Sequence, residues 1–134
     1  MPHLQFEINR EASKDEKVAF AEKVKELFSE VMGTGTDHIS ISIREFGTYN
    51  LFIGRVKDNT EGVALVNADI REGRELRKRR SLALGFMGII SDIWNIPHQN
   101  IYVTFTEHKG EDFHLHERYL SSWQDGEDPL GDPQ

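Results

Sequence analysis

Along the first third of the chain the apolar positions change period. Leu4, Phe6 and Ile8 alternate with polar neighbours, which predicts a strand over about residues 3–9 with one face buried. From Lys14 the spacing widens. Phe20, Ala21, Val24, Leu27, Phe28 and Val31 recur three or four apart, the stripe of an amphipathic helix. Ser13 with Glu16 makes a capping-box start, and Gly33 a left-handed stop, so the helix is expected over 14–32. Alternation then returns in Ile39, Ile41 and Ile43, a strand over 38–45.

The same pattern recurs without gaps 62 residues later. Leu4, Phe6 and Ile8 fall on Val66, Ala68 and Ile70, and the helical stripe falls on Leu82, Ala83, Phe86, Ile89, Ile90 and Ile93. DHISISIRE falls on QNIYVTFTE, where Ile101, Val103 and Phe105 alternate. Further strands are therefore expected over 63–70 and 100–106, with a helix from about Glu75 to Asn95 that Pro97 keeps from continuing. Right-handed crossovers place both helices on one face of the sheet. The fold class is α/β (α+β): two tandem β-α-β units, residues 2–45 and 64–107, form one four-stranded mixed sheet.

Between the copies, turn residues surround the short apolar run LFI, which predicts a connecting hairpin over 46–63. The uncovered sheet face carries Ser40, Ser42, Tyr102 and Thr104, and meets solvent or another subunit in a symmetric oligomer. Residues 119–134 are polar and turn-rich with Trp123 as their large anchor, and predict a partly ordered arm.

Composition narrows the function. The 134 residues, 37% hydrophobic, suit a single domain, 1–134, with a real core. No membrane-length apolar run and no signal-peptide pattern is found, so a soluble cytoplasmic protein is expected. The absence of cysteine excludes thiolate metal sites and cysteine nucleophiles. Net charge is −7, and Asp125, Glu127, Asp128 and Asp132 place much of it in the arm; a nucleic-acid partner is not expected.

Two groups of residues carry chemistry. Pro2 precedes the first strand, and removal of Met1 would leave it a free secondary amine. An α-amino group titrates near about 7.7–8.0, and burial or nearby cations lower that value, so such a nitrogen is able to act as a base at neutral pH. Taken alone, a second-position proline more often only permits methionine trimming and starts an edge strand. In DIREGRELRKRR, Arg71 and Arg74 lie in the turn between third strand and second helix, with Gly73 allowing an unusual backbone. Cations there oppose the helix dipole while the exposed N–H groups attract an anion; a bound carboxylate resolves the conflict, and the guanidinium fork suits it. Arg77, Lys78, Arg79 and Arg80 read as a solvated basic face.

Pro2, the two ungapped copies, the turn REGR and the fourth-strand stretch TEHKGEDF together resemble the tautomerase superfamily over residues 2 to about 120. The turn resembles the EGR segment of 4-oxalocrotonate tautomerase, and Phe113, six positions after Glu107, matches that enzyme's aromatic position. At this doubled length, with NLFIG between the copies, the chain is most similar to the branch of cis-3-chloroacrylic acid dehalogenase and malonate semialdehyde decarboxylase. The resemblance implies a tautomerase/MIF-like fold, a homotrimer, no cofactor and a small carboxylate substrate. It implies Pro2 as general base or acid, Arg71 and Arg74 as holders of carboxylate and enolate, and Phe113 as an apolar wall.

The chain departs from the dehalogenase pattern of histidine, tyrosine and glutamate, having Phe28, Thr104 and approximately Leu115 there. Asp37 occupies a place similar to the decarboxylase aspartate, but the arginines are spaced RxxR rather than RxR. Asp37 either hydrogen-bonds the prolinium or polarises water, or it only shapes the turn into the strand. His114 is read first as pocket lining, then as plain surface, and only third, with His116, as a metal ligand; no metal site is expected. The primary expectation is keto-enol tautomerisation. Decarboxylation, or hydration or dehalogenation, is the alternative, and a non-catalytic trimeric binding protein the rival from another class.

Overall fold

A computed structural model describes residues 2–117 and 119–120. Its elements are β1 (His3–Ile8), α1 (Lys14–Met32), β2 (Ser40–Glu45), β3 (Ala64–Arg71), α2 (Leu76–Trp94) and β4 (Ile101–His108), with short 3₁₀ turns at His98–Asn100 and Gly110–Asp112. The strands form one mixed sheet in the order β2-β1-β3-β4. β1 runs parallel to β2 and antiparallel to β3, and β3 runs parallel to β4.

The repeat reaches the level of single hydrogen bonds. Ser13 caps α1 reciprocally with Glu16, at 3.1 Å and 2.8 Å, and Glu75, its counterpart, is the N-cap of α2 without a side-chain bond. Gly33 ends α1 in the left-handed region, φ 66°, with its N–H on the carbonyl of Ser29. Asn95 ends α2 in the same way, φ 56°, with its N–H on Ser91. Asparagine is one of the few side-chain-bearing residues that tolerates this conformation, and it caps the helix two residues ahead of Pro97. The strand registers repeat too, since His3 pairs with Ser40 and the equivalent Leu65 with Tyr102. Gln5 pairs with its own counterpart Asn67, so the axis relating the copies passes through that pair.

Both helices pack on one sheet face, as the alternation requires. Leu4, Phe6, Ile8, Val66, Ala68 and Ile70 form the sheet side of the core, and Phe20, Val24, Phe28, Leu82, Phe86 and Ile90 the helix side, all buried. Phe6 is the joint: its ring meets Phe20 edge-on at 4.7 Å and Phe86 at 5.3 Å, one from each helix. The helices approach closely at Gly85, where a Cβ would lie 2.5 Å from the side chain of Leu27. Lys17 of α1 pairs with Glu45 of β2, and that hydrogen bond holds the exposed Glu45 carboxyl below its ordinary value.

The hairpin expected over 46–63 is corrected to a chain of turns without strand pairing. Asn50, Val56 and Glu61 donate to the carbonyls of Gly47, Ile53 and Asp58, which folds the segment too tightly for a ladder. Buried Asn9 closes the loop by donating to the carbonyls of Thr48 and Glu61 and accepting from the N–H of Val63. Leu51 is tucked in, while Tyr49 and Phe52 are exposed. The arm expected over 119–134 lies outside the described residues beyond Leu120. Among the described residues, no helix is long and apolar enough to cross a membrane.

Candidate active site

Strand register decides what meets at the head of β1. The antiparallel pairing of His3 with Asp69, continued one step, sets Pro2 beside Ile70, next to the final β3 residue Arg71. On the other side the N–H of Ser40 donates to the carbonyl of Pro2 at 3.1 Å, tying it to β2. Pro2 is buried. Having no N–H to give a ladder, proline is tolerated at this strand start.

Beyond β4 the chain makes the 3₁₀ turn Gly110–Asp112, with the N–H of Asp112 on Lys109 and that of Phe113 on Gly110, and so comes back toward Pro2. The result is a cavity of about 400 Å³ lined by Pro2, His3, Ser40, Asp112, Phe113, His114 and Leu115. Phe113 meets the ring of His108 edge-on at 5.6 Å, and His114 lies against Tyr119 at 5.8 Å. The cavity thus has an apolar wall, two imidazoles and one carboxylate around the proline ring.

Arg71 and Arg74 sit at the same end of the sheet. Arg71 is 1% exposed and pairs in register with His108 of β4. Arg74 is 4% exposed, and its Nη1 donates to the carbonyl of Arg71 at 3.3 Å. Gly73 between them has φ 108°, a conformation that favours glycine, which makes the turn tight enough for both arginines to fold inward. Neither contributes to the cavity lining. Asp37 is exposed in the loop ahead of β2, also outside the lining.

Of the residues named from the sequence, the structure gathers Pro2, Phe113 and His114 in one cavity. It adds Ser40 and Asp112, which motif reading missed, together with His3 and with Leu115, the residue aligned to the dehalogenase glutamate. The signal for Ser40 was the register of two parallel strands, and for Asp112 its place just before the aromatic wall. His116 is exposed, and among the described residues no cluster of three or more His, Cys, Asp or Glu side chains is gathered to hold a metal ion.

No family model matches the chain, and none of the curated proteins matches its sequence. Solved structures do match in fold. A fused 4-OT, solved as a symmetric trimer, superposes with a TM-score of 0.76 at 17% identity over 89% of this chain and 94% of that one. Macrophage migration inhibitory factor of Toxoplasma gondii gives 0.75 at 13% identity over 88% and 99%. An FG41 malonate semialdehyde decarboxylase inhibited by 3-bromopropiolate gives 0.70 at 12% identity over 84% and 87%. The architecture is the tautomerase/MIF fold.

Proposed function

We propose that the protein is a tautomerase of the tautomerase superfamily, acting on small 2-oxo or enol carboxylates with Pro2 as general base and acid. The observation that carries this reading is the meeting of Pro2, Phe113 and His114 in the lining of one open cavity. Processing that exposes the Pro2 nitrogen gives a rigid secondary amine whose lone pair has a fixed direction. Burial of Pro2 disfavours its cationic form. The amine takes the enol hydroxyl proton and returns a proton to C3, and the C2 oxygen carries negative charge in between. Phe113 excludes water beside that charge and raises the effect of every nearby dipole.

Arg71 and Arg74 supply positive charge to the same end of the sheet, and the reading assigns them the substrate carboxylate and the developing enolate. Arg74→Ala is expected to lower kcat/KM by about 10- to 100-fold, the range of a lost hydrogen bond to a charged group. The loss should appear mainly as a raised KM, and Arg74→Lys should recover only part of it, because an ammonium lacks the planar fork. Steady-state kinetics on phenylenolpyruvate check this; an unchanged KM would remove Arg74 from the site.

Asp112 favours a second reading. A carboxylate in the lining is able to accept a proton from water, so addition of water to a three-carbon acid is open to the same cavity. Asp37, given the decarboxylase role by resemblance, is exposed and away from the lining. The large exposed Tyr102 on the open sheet face, together with the symmetric trimer formed by the fused 4-OT of the same fold, supports assembly into a homotrimer. A panel of 2-oxo acids, 3-oxo acids and haloacrylates followed by NMR separates tautomerase from hydratase and decarboxylase by product. No turnover of any member favours the non-catalytic trimeric binding protein.

A further inference from the structure

A line of polar side chains crosses the open sheet face and ends on the cavity wall. Arg44 of β2 donates through Nη1 to Gln5 Oε1 at 3.3 Å, and Gln5 of β1 donates through Nε2 to Asp69 Oδ2 at 2.8 Å. Asp69 of β3 accepts through Oδ1 from His108 Nε2 at 3.1 Å, and the His108 ring of β4 meets Phe113 edge-on. Every link is the same diagonal step. The residue directly across from Gln5 is Ser42 on one side and Asn67 on the other, and across from Asp69 is Thr106, so each bond goes two residues further along the neighbouring strand.

The other copy keeps only the first link, Thr106 Oγ1 donating to Asn67 Oδ1 at 3.0 Å, and lacks the imidazole end. The counterparts of His108 and Phe113 are Phe46 and Leu51, an apolar pair, with Leu51 buried. There the fold closes the equivalent turn without an imidazole. At the head of β1 it uses a histidine anchored by a carboxylate that is itself held by Gln5. Phe113 follows a single turn of 3₁₀ helix, whose hydrogen bonds are poorer than those of an α-helix. Such a turn fixes the ring weakly; the perpendicular His108 ring supplies a lateral stop, and the Asp69 bond fixes the rotation of the imidazole.

The geometry points to Asp69 and His108 as positioning residues that hold Phe113, and through it set which apolar substituent the Pro2 cavity accepts. This rests on the reading of that cavity as the reaction site. A well-fixed ring favours a flat aryl group over a small one, and pocket fit of this kind discriminates by about 10- to 200-fold.

The test uses Asp69→Ala, His108→Gln and the conservative Asp69→Asn in the full-length protein. The ratio of kcat/KM for phenylenolpyruvate over a methyl-substituted enol carboxylate should fall about tenfold in the first two, with the change in KM. Asp69→Asn, which keeps an oxygen for His108 but sets its Nδ2 against the Gln5 donor, should give a ratio between wild type and Asp69→Ala. Independently of turnover, the NMR signals of the Phe113 ring, assigned with Phe113→Leu, should shift in Asp69→Ala although Asp69 reaches that ring through His108. An unchanged ratio, or Phe113 signals indifferent to Asp69→Ala, overturns the proposal. So does native mass spectrometry showing that Asp69→Ala dissociates an oligomer, since the line then serves an interface. A wild-type protein that turns over no enol defeats the functional reading alone; the ring signals still decide whether the strut exists.

Discussion

Pro2→Ala is expected to lower kcat on phenylenolpyruvate by about 10²–10⁴-fold, the worth of a positioned general base. A primary amine on a free-rotating alanine loses both the fixed lone-pair direction and the ring that fills this part of the cavity. Folding should be spared. The backbone link of residue 2 to β2 runs through its carbonyl, which accepts from Ser40, and alanine keeps that acceptor. Stopped kinetics with circular dichroism on the same samples check both halves. Full activity in a folded Pro2→Ala protein would move the chemistry to Asp112 or to a histidine of the lining.

Phe6→Ala is expected to destabilise the protein by about 3–5 kcal/mol, the range for emptying a buried aromatic site. Phe6 is fully buried in the strand nearest the axis relating the copies, and its ring touches an aromatic ring from each helix. Little can collapse into the space, because the neighbours are held by two helices and a sheet. Against a total stability of about 5–15 kcal/mol, the variant should unfold at far lower denaturant. Phe105→Ala, at a partly buried position on the edge strand, serves as comparison and should cost much less. Equal midpoints for the two would mean that the core is not centred on Phe6.

Most of the fold was legible because two periodicities repeat at one offset. Residues 14–32 and the strand beginning at His3 are found where alternation, the Ser13 capping box and Gly33 place them. The second helix was located by its stripe and ends at Asn95 as expected; the left-handed cap that Asn95 makes ahead of Pro97 was not read. That asparagine's role follows from equivalence to Gly33, a signal the repeat contained. The loop over 46–63 was less legible. LFI has the composition of a strand, but tight turns on both sides and the buried Leu51 leave nothing for it to pair with.

The candidate site was legible only as far as residue type. A proline before a strand, arginines in a glycine turn and a phenylalanine after a strand can be named from spacing. Which of them share a cavity depends on register and on the turn after β4, neither of which local pattern encodes. Ser40 and Asp112 enter the lining for that reason. Arg71 and Arg74 fold inward for a tertiary reason as well: Gly73 turns the chain so that the guanidinium of Arg74 reaches back to the Arg71 carbonyl.

All of the proposed chemistry depends on the nitrogen of Pro2 as the reacting group. Intact-mass spectrometry of the purified protein, with sequencing of its first peptide, tests it most directly. The expected product begins at Pro2 with a free secondary amine and is lighter than the full sequence by one methionine. A chain that keeps Met1, or one carrying a blocking group on Pro2, would contradict it.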